Sequence, residues 1–170
     1  DFVIYNIPQL AGVALTPSLY KEMLKNERVI GVKNSSMPVQ DIQTFVALGG
    51  EEHVVFNGPD EQFLGGRIMG ATAGIGGTYG AMPELFLKLN QLIADKELER
   101  AKELQYAINE IIGKLTSAQG NMYAVIKGVL EINEGLTIGS VRSPLTPVKE
   151  SDRPIVEEAA QLIRQTKEQF

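Results

Sequence analysis

A change of periodicity near Tyr79 constrains this chain more than any other feature. Before it, short β-branched runs alternate with amphipathic segments, and after it only helical periodicity remains. Alternation of that kind is the signature of βα units around a parallel sheet. The strand candidates are residues 1–6 (DFVIYN), 28–33 (RVIGVK), 53–57 (HVVFN) and 70–75 (GATAGI), the first of them ended by Pro8. Thr16-Pro17 offers an N-cap followed by proline at the first helical position, with Leu19, Tyr20, Met23 and Leu24 along one face. Pro38 with Asp41, Ile42, Phe45 and Val46 predicts a second helix, and residues 60–69 a third that carries the unfavourable pair Gly65-Gly66.

The second half predicts helices over 83–94, 97–115, 123–134 and 153–167, joined at Gly120-Asn121 and through 135–147. Pro144 and Pro147 hold the end of that longer connection extended, as a strap between helices.

Composition narrows the function classes. At 170 residues and 44% hydrophobic, the chain has apolar material for one ordinary core and no run long enough to cross a bilayer. Cysteine is absent, which removes disulfides and thiolate chemistry and suits a reducing, cytoplasmic setting. A net charge of −5, with the basic residues scattered among acids, offers no surface for nucleic acid. His53 is the single histidine, beside Glu51 and Glu52, and reads as a surface turn residue. With no second ligand at metal spacing, neither metal nor cofactor is expected.

Chemistry-bearing residues gather at the ends of the predicted strands, the edge on which parallel α/β folds build their sites. The first strand ends in Tyr5, the second in Lys33 followed by Ser35, the third in Gly58 with Asp60 and Glu61, and the fourth in Gly74, Gly76 and Gly77. Lys33 follows an apolar run, where an ammonium is costly and the neutral, nucleophilic amine is favoured. A lysine reaching from a strand end into solvent fits the same spacing. Tyr5 and Lys33 fall on consecutive strands at the same height, and a phenol beside an amine can shuttle the proton that imine formation requires. Asp60 and Glu61 read either as the acidic first turn of a helix or as acceptors for the hydroxyls of a polyol. Gly74 to Gly77 lacks the lysine and hydroxyl of a phosphate loop, and its glycines would let backbone approach a substrate closely.

These segments resemble the N-acetylneuraminate lyase and dihydrodipicolinate synthase superfamily, pyruvate-type class I aldolases on (β/α)8 barrels. Tyr5-Asn6-Ile7-Pro8 resembles the family's tyrosine motif, Gly31-Val32-Lys33 its Schiff-base lysine motif, and Asn57-Gly58-Pro59-Asp60-Glu61 a substrate loop. GIGGTY (74–79) looks like the last barrel strand, and 121–127 with RSPLTP (142–147) like the C-terminal helical signature. The resemblance implies an α/β chain in which residues 1–82 form the second half of a TIM barrel, about strands 5–8. Residues 83–170 would form the last barrel helix and a C-terminal helical region. Four strands do not close a barrel, so the N-terminal half is expected to lie outside this chain or to come from another.

By the same resemblance, Lys33 and Tyr5 are catalytic, and Leu10, Ser35, Gly58, Asp60, Glu61, Gly76 and Gly77 bind substrate. Leu10 stands where the synthase branch carries an arginine, and Asp60-Glu61 resembles the lyase loop, whereas Gly77 departs from the serine common in lyases. The implied reaction is cleavage of N-acetylneuraminate to pyruvate and N-acetylmannosamine, by a homotetramer. Dihydrodipicolinate synthesis, another 2-keto acid aldol reaction and a non-catalytic barrel module are the alternatives. The pyruvate-carboxylate site and a second relay tyrosine belong to the other half of the family's barrel. The 170 residues alone are therefore expected to show no turnover, and pyruvate release by the isolated chain in a coupled assay would overturn that.

Overall fold

The computed structural model describes all residues, Asp1–Phe170, as two compact units, Asp1–Gly76 and Gly77–Phe170. The first unit is built on β1 (Phe2–Asn6), β2 (Val29–Asn34), β3 (Val54–Asn57) and β4 (Ala73–Gly74), a parallel sheet in the order β1-β2-β3-β4. Helices α1 (Pro8–Ala11), α2 (Pro17–Met23), α3 (Gln40–Gly49) and α4 (Phe63–Ile68) connect the strands. Thr16 caps α2 as its sequence predicts, its side chain accepting from the Leu19 N–H at 3.2 Å.

Alternation along the strands sorts side chains to two faces. Val32 and Val55 pack beneath the helices with Tyr20, Ile42, Phe45 and Ala71. Tyr20 meets Phe45 edge-on, with ring centroids 5.0 Å apart. The Tyr20 hydroxyl is buried without a hydrogen-bond partner, and burial holds that phenol above its ordinary value. On the opposite face Val3 and Tyr5 stay exposed, and Phe2 is exposed at the start of β1.

Four sequence expectations change. The fourth strand shrinks from 70–75 to Ala73–Gly74, paired only at Phe56↔Ala73 and Asn57↔Gly74, because its Gly and Ala residues lack the branched side chains that hold a strand. Residues 60–69 open as a 3-10 turn, Asp60–Gln62, before becoming helical. Pro8 ends β1 but also opens the one-turn α1, closed by Gly12 in the left-handed conformation at φ 69°. His53 is half-buried, and its Nδ1 donates to the Gly49 carbonyl at 2.7 Å, so it locks the end of α3 instead of serving as a free turn residue.

The second unit is helical: α5 (Pro83–Ala94), α6 (Leu98–Thr116), α7 (Met122–Glu134) and α8 (Arg153–Gln169). Each buries one apolar stripe, as in Leu104, Ile108, Ile111 and Leu115 of α6 and Val156, Ala159, Ala160 and Ile163 of α8. No helix in either unit is long and apolar enough to cross a membrane. The strap between α7 and α8 carries no helix before a 3-10 turn at Glu150–Asp152, in keeping with its prolines.

One buried carboxylate ties that strap to the α6–α7 connection. Asp152 Oδ2 accepts from the Lys149 N–H at 2.9 Å and the Gly120 N–H at 3.0 Å, and Oδ1 accepts from the Gln119 N–H at 2.9 Å. The backbone N–H groups of Lys149, Gln119 and Gly120 hold this carboxyl below its ordinary value. A depressed folded value means that its stabilisation is complete above the unfolded carboxylate value of about 3.9 and is lost as pH falls through the lower folded one. Asp152→Asn is expected to lower the melting temperature at neutral pH and to bring wild type and variant together in acid. Thermal unfolding followed by circular dichroism from neutral pH to about pH 2 measures the gap, and a gap that does not narrow below about pH 4 contradicts the assignment.

Candidate active site

The site follows from strand register. Tyr5 on β1 pairs with Lys33 on β2, and Lys33 pairs with Phe56 on β3, so the three lie in one row across the sheet. Alternation points this row away from the helix-packed core. Tyr5 is 54% exposed and Lys33 half-buried. The Lys33 Nζ sits over the Tyr5 ring, 4.2 Å from its centroid, where the negative face of the ring attracts an ammonium. The tyrosine and lysine singled out from the sequence therefore meet.

Two further pairs continue along the same sheet edge. Ser35 Oγ packs on the Gly58 backbone so closely that a Cβ at Gly58 would come within 2.1 Å of it and within 2.7 Å of the Asn34 carbonyl. The Asp60 carboxylate packs on Gly76, where a Cβ would lie 1.4 Å from Oδ1. Glycine at these two positions is thus required by neighbouring protein atoms. The ladder also runs one rung past the strands: Ser35 N–H donates to Asn6 O at 2.7 Å, Gly58 N–H to Asn34 O at 2.8 Å, and Ile75 N–H to Asn57 O at 3.0 Å.

The remaining expected residues separate. Asp60 is buried, whereas Glu61, its neighbour in the same 3-10 turn, is exposed. Leu10 stands on α1 and is 83% exposed. Gly77 begins the second unit, and there a Cβ would lie 2.7 Å from the Tyr123 hydroxyl. No group of three His, Asp or Glu residues is placed to hold a metal ion.

Sequence reasoning passed over the residues directly behind the row. Asn6, Asn34 and Asn57 are all buried, in register, each following the row residue on its strand. The signal was present in the repeated strand-final asparagine of DFVIYN, GVKN and VVFN.

The chain is similar to several known proteins. The N-acetylneuraminate lyase of Mediterraneibacter gnavus is 62% identical over 170 residues, which is all of this chain and 54% of that protein. A solved Ruminococcus gnavus sialic acid aldolase, a catalytic lysine mutant, matches with TM-score 0.98 and 62% identity over 100% of this chain and 56% of its own. The N-acetylneuraminate lyase of Fusobacterium nucleatum in complex with pyruvate matches with TM-score 0.83 and 26% identity over 96% of this chain and 53% of its own. The chain spans about half the length of the relatives it matches. The dihydrodipicolinate synthetase family model covers residues 1–163, and with that match over nearly the whole sequence the chain belongs to the dihydrodipicolinate synthetase family.

Proposed function

We propose that this chain supplies the lysine and tyrosine of a Schiff-base aldolase that cleaves N-acetylneuraminate to pyruvate and N-acetylmannosamine. The observation that carries the proposal is the Tyr5–Lys33 pair, in register on adjacent parallel strands with the amine 4.2 Å from the ring centroid. The names borne by the relatives, N-acetylneuraminate lyase and sialic acid aldolase with a catalytic lysine, support it, as does the pyruvate complex of the Fusobacterium enzyme.

In this reading the Lys33 amine adds to the C2 keto carbon of the substrate. Tyr5 protonates the departing hydroxyl, so that water leaves and an iminium remains. The Tyr5 phenolate then takes the proton of the C4 hydroxyl as the C3–C4 bond breaks. The bonding pair moves into the iminium, which becomes the enamine of pyruvate, and N-acetylmannosamine leaves as the aldehyde. Protonation at C3 and hydrolysis release pyruvate and return the amine. In this reading Ser35, the Gly58 backbone and Asp60 bind substrate along the same edge, and Leu10, Glu61, Gly76 and Gly77 are further substrate-binding residues.

The same reading takes residues 1–82 as the second half of a TIM barrel and residues 83–170 as its closing helix and helical extension. Phe2, Val3 and Tyr5 are exposed on an edge strand, and an apolar edge of this kind calls for a further strand to cover it. The N-terminal half of the barrel is the cover that this reading supplies. A cytoplasmic homotetramer acting on a small-molecule 2-keto acid completes it.

Borohydride reduction of the full-length protein in the presence of pyruvate is expected to leave a covalent adduct on Lys33, located by peptide mass spectrometry, and Lys33→Ala to abolish it. Tyr5→Phe is expected to keep some adduct while slowing sialic acid cleavage by about 10²- to 10⁴-fold. An adduct on another lysine, or none, sinks the proposal. Faster reaction with aspartate semialdehyde than with N-acetylmannosamine moves the chain to the synthase branch.

A further inference from the structure

Behind the Tyr5–Lys33–Phe56 row lies a second row, Asn6–Asn34–Asn57, on the face packed beneath the helices. A buried amide is costly unless hydrogen-bonded, so its partners are set by the structure around it. Asn6 Nδ2 donates to Asn34 Oδ1 at 2.6 Å, Asn34 Nδ2 donates to Ser36 Oγ at 2.8 Å, and Ser36 Oγ donates to Asp41 Oδ2 at 2.5 Å. At the other end the Leu15 N–H donates to Asn6 Oδ1 at 3.0 Å.

The two ends fix the direction of every bond between them. A backbone N–H can only donate, so Asn6 must present its oxygen to Leu15 and its NH₂ to Asn34. The Asp41 carboxylate only accepts, so Ser36 spends its single proton there and must accept from Asn34. Neither amide can flip without breaking two bonds. Apolar side chains could fill this space, but they carry no directional bond, whereas a directed amide pair adds to the backbone ladder in holding the ends of β1 and β2 at one height. The backbones of the same asparagines anchor the neighbouring residues, Asn6 O holding the Ser35 N–H and Asn34 O the Gly58 N–H.

We propose that the buried chain Asn6–Asn34–Ser36–Asp41 is the positioning device of the site. It holds the Tyr5 ring and the Lys33 amine together from the opposite face of the sheet, without touching substrate. The inference rests on Lys33 being the imine-forming lysine, and the experiment separates the two questions. In the full-length protein, reductive trapping of Lys33 by saturating pyruvate gives a rate constant and an amplitude. A residue that only supports the fold lowers the melting temperature and the amplitude, which counts intact sites. A positioning residue lowers the rate constant of the sites that remain.

Asn34→Ala is expected to slow trapping by about 10- to 100-fold, the scale set by misplacing reacting groups by about an ångström. Ser36→Ala, one link further from Lys33, is expected to slow it less while folding more readily. The control Ile42→Val, in the core beneath the same sheet, is expected to lower the melting temperature and leave the rate constant unchanged. Wild-type rate constants in both Asn34→Ala and Ser36→Ala, with losses only in amplitude or melting temperature, would overturn the positioning role. Absence of trapping at Lys33 in the wild-type protein would instead overturn the nucleophile assignment.

Discussion

Parallel pairing of β1 on β2 and of β2 on β3 is the constraint on which everything at the site depends. Register sets two rows at once, Tyr5–Lys33–Phe56 on one face and Asn6–Asn34–Asn57 on the other. A slip of one residue would send Lys33 into the apolar layer of Val32, Val55 and Ile42 and turn the asparagines outward. An unpaired ammonium in that layer costs far more than any strand pair gains, so the core and the site enforce the same alignment. The irregularity between Phe2 and Val3 lies at the opposite end of β1, away from the rows that matter.

Much of this was legible because the relevant signals are local. The β-branched runs, the Thr16-Pro17 cap and the apolar stripes of α5 to α8 each follow from a few neighbouring residues, and the structure has them within a residue or two. The features that escaped depend on contacts between distant residues. His53 looks like a turn residue until the end of α3 brings the Gly49 carbonyl to its ring. Asp60 and Glu61 look equivalent until the 3-10 turn buries one and exposes the other. The strand-final asparagines were visible as letters, but only register shows that two of them share a hydrogen bond.

Glycine taught a similar lesson. Gly76, within Gly74 to Gly77, suggests close approach to a substrate, and sequence alone has no means of distinguishing that from room demanded by the protein itself, there or at Gly58. The structure fills the space at Gly58 with Ser35 Oγ and the Asn34 carbonyl, and at Gly76 with the Asp60 carboxylate. These contacts bring a hydroxyl and a carboxylate onto the sheet edge that already carries the amine, which a bulkier loop would have pushed away.

The division of labour within the first unit follows from which groups are free to move. Lys33 has a long, flexible side chain, and in the proposed reaction an amine that reaches a carbonyl along a defined trajectory gains from a neighbour that limits where it rests. The Tyr5 ring supplies that limit on the solvent side, its centroid 4.2 Å from the Lys33 Nζ. On the protected side the amide chain fixes the backbone from which both side chains project. In the proposed reaction a flexible side chain thus projects from a backbone held by both the strand ladder and the amide chain.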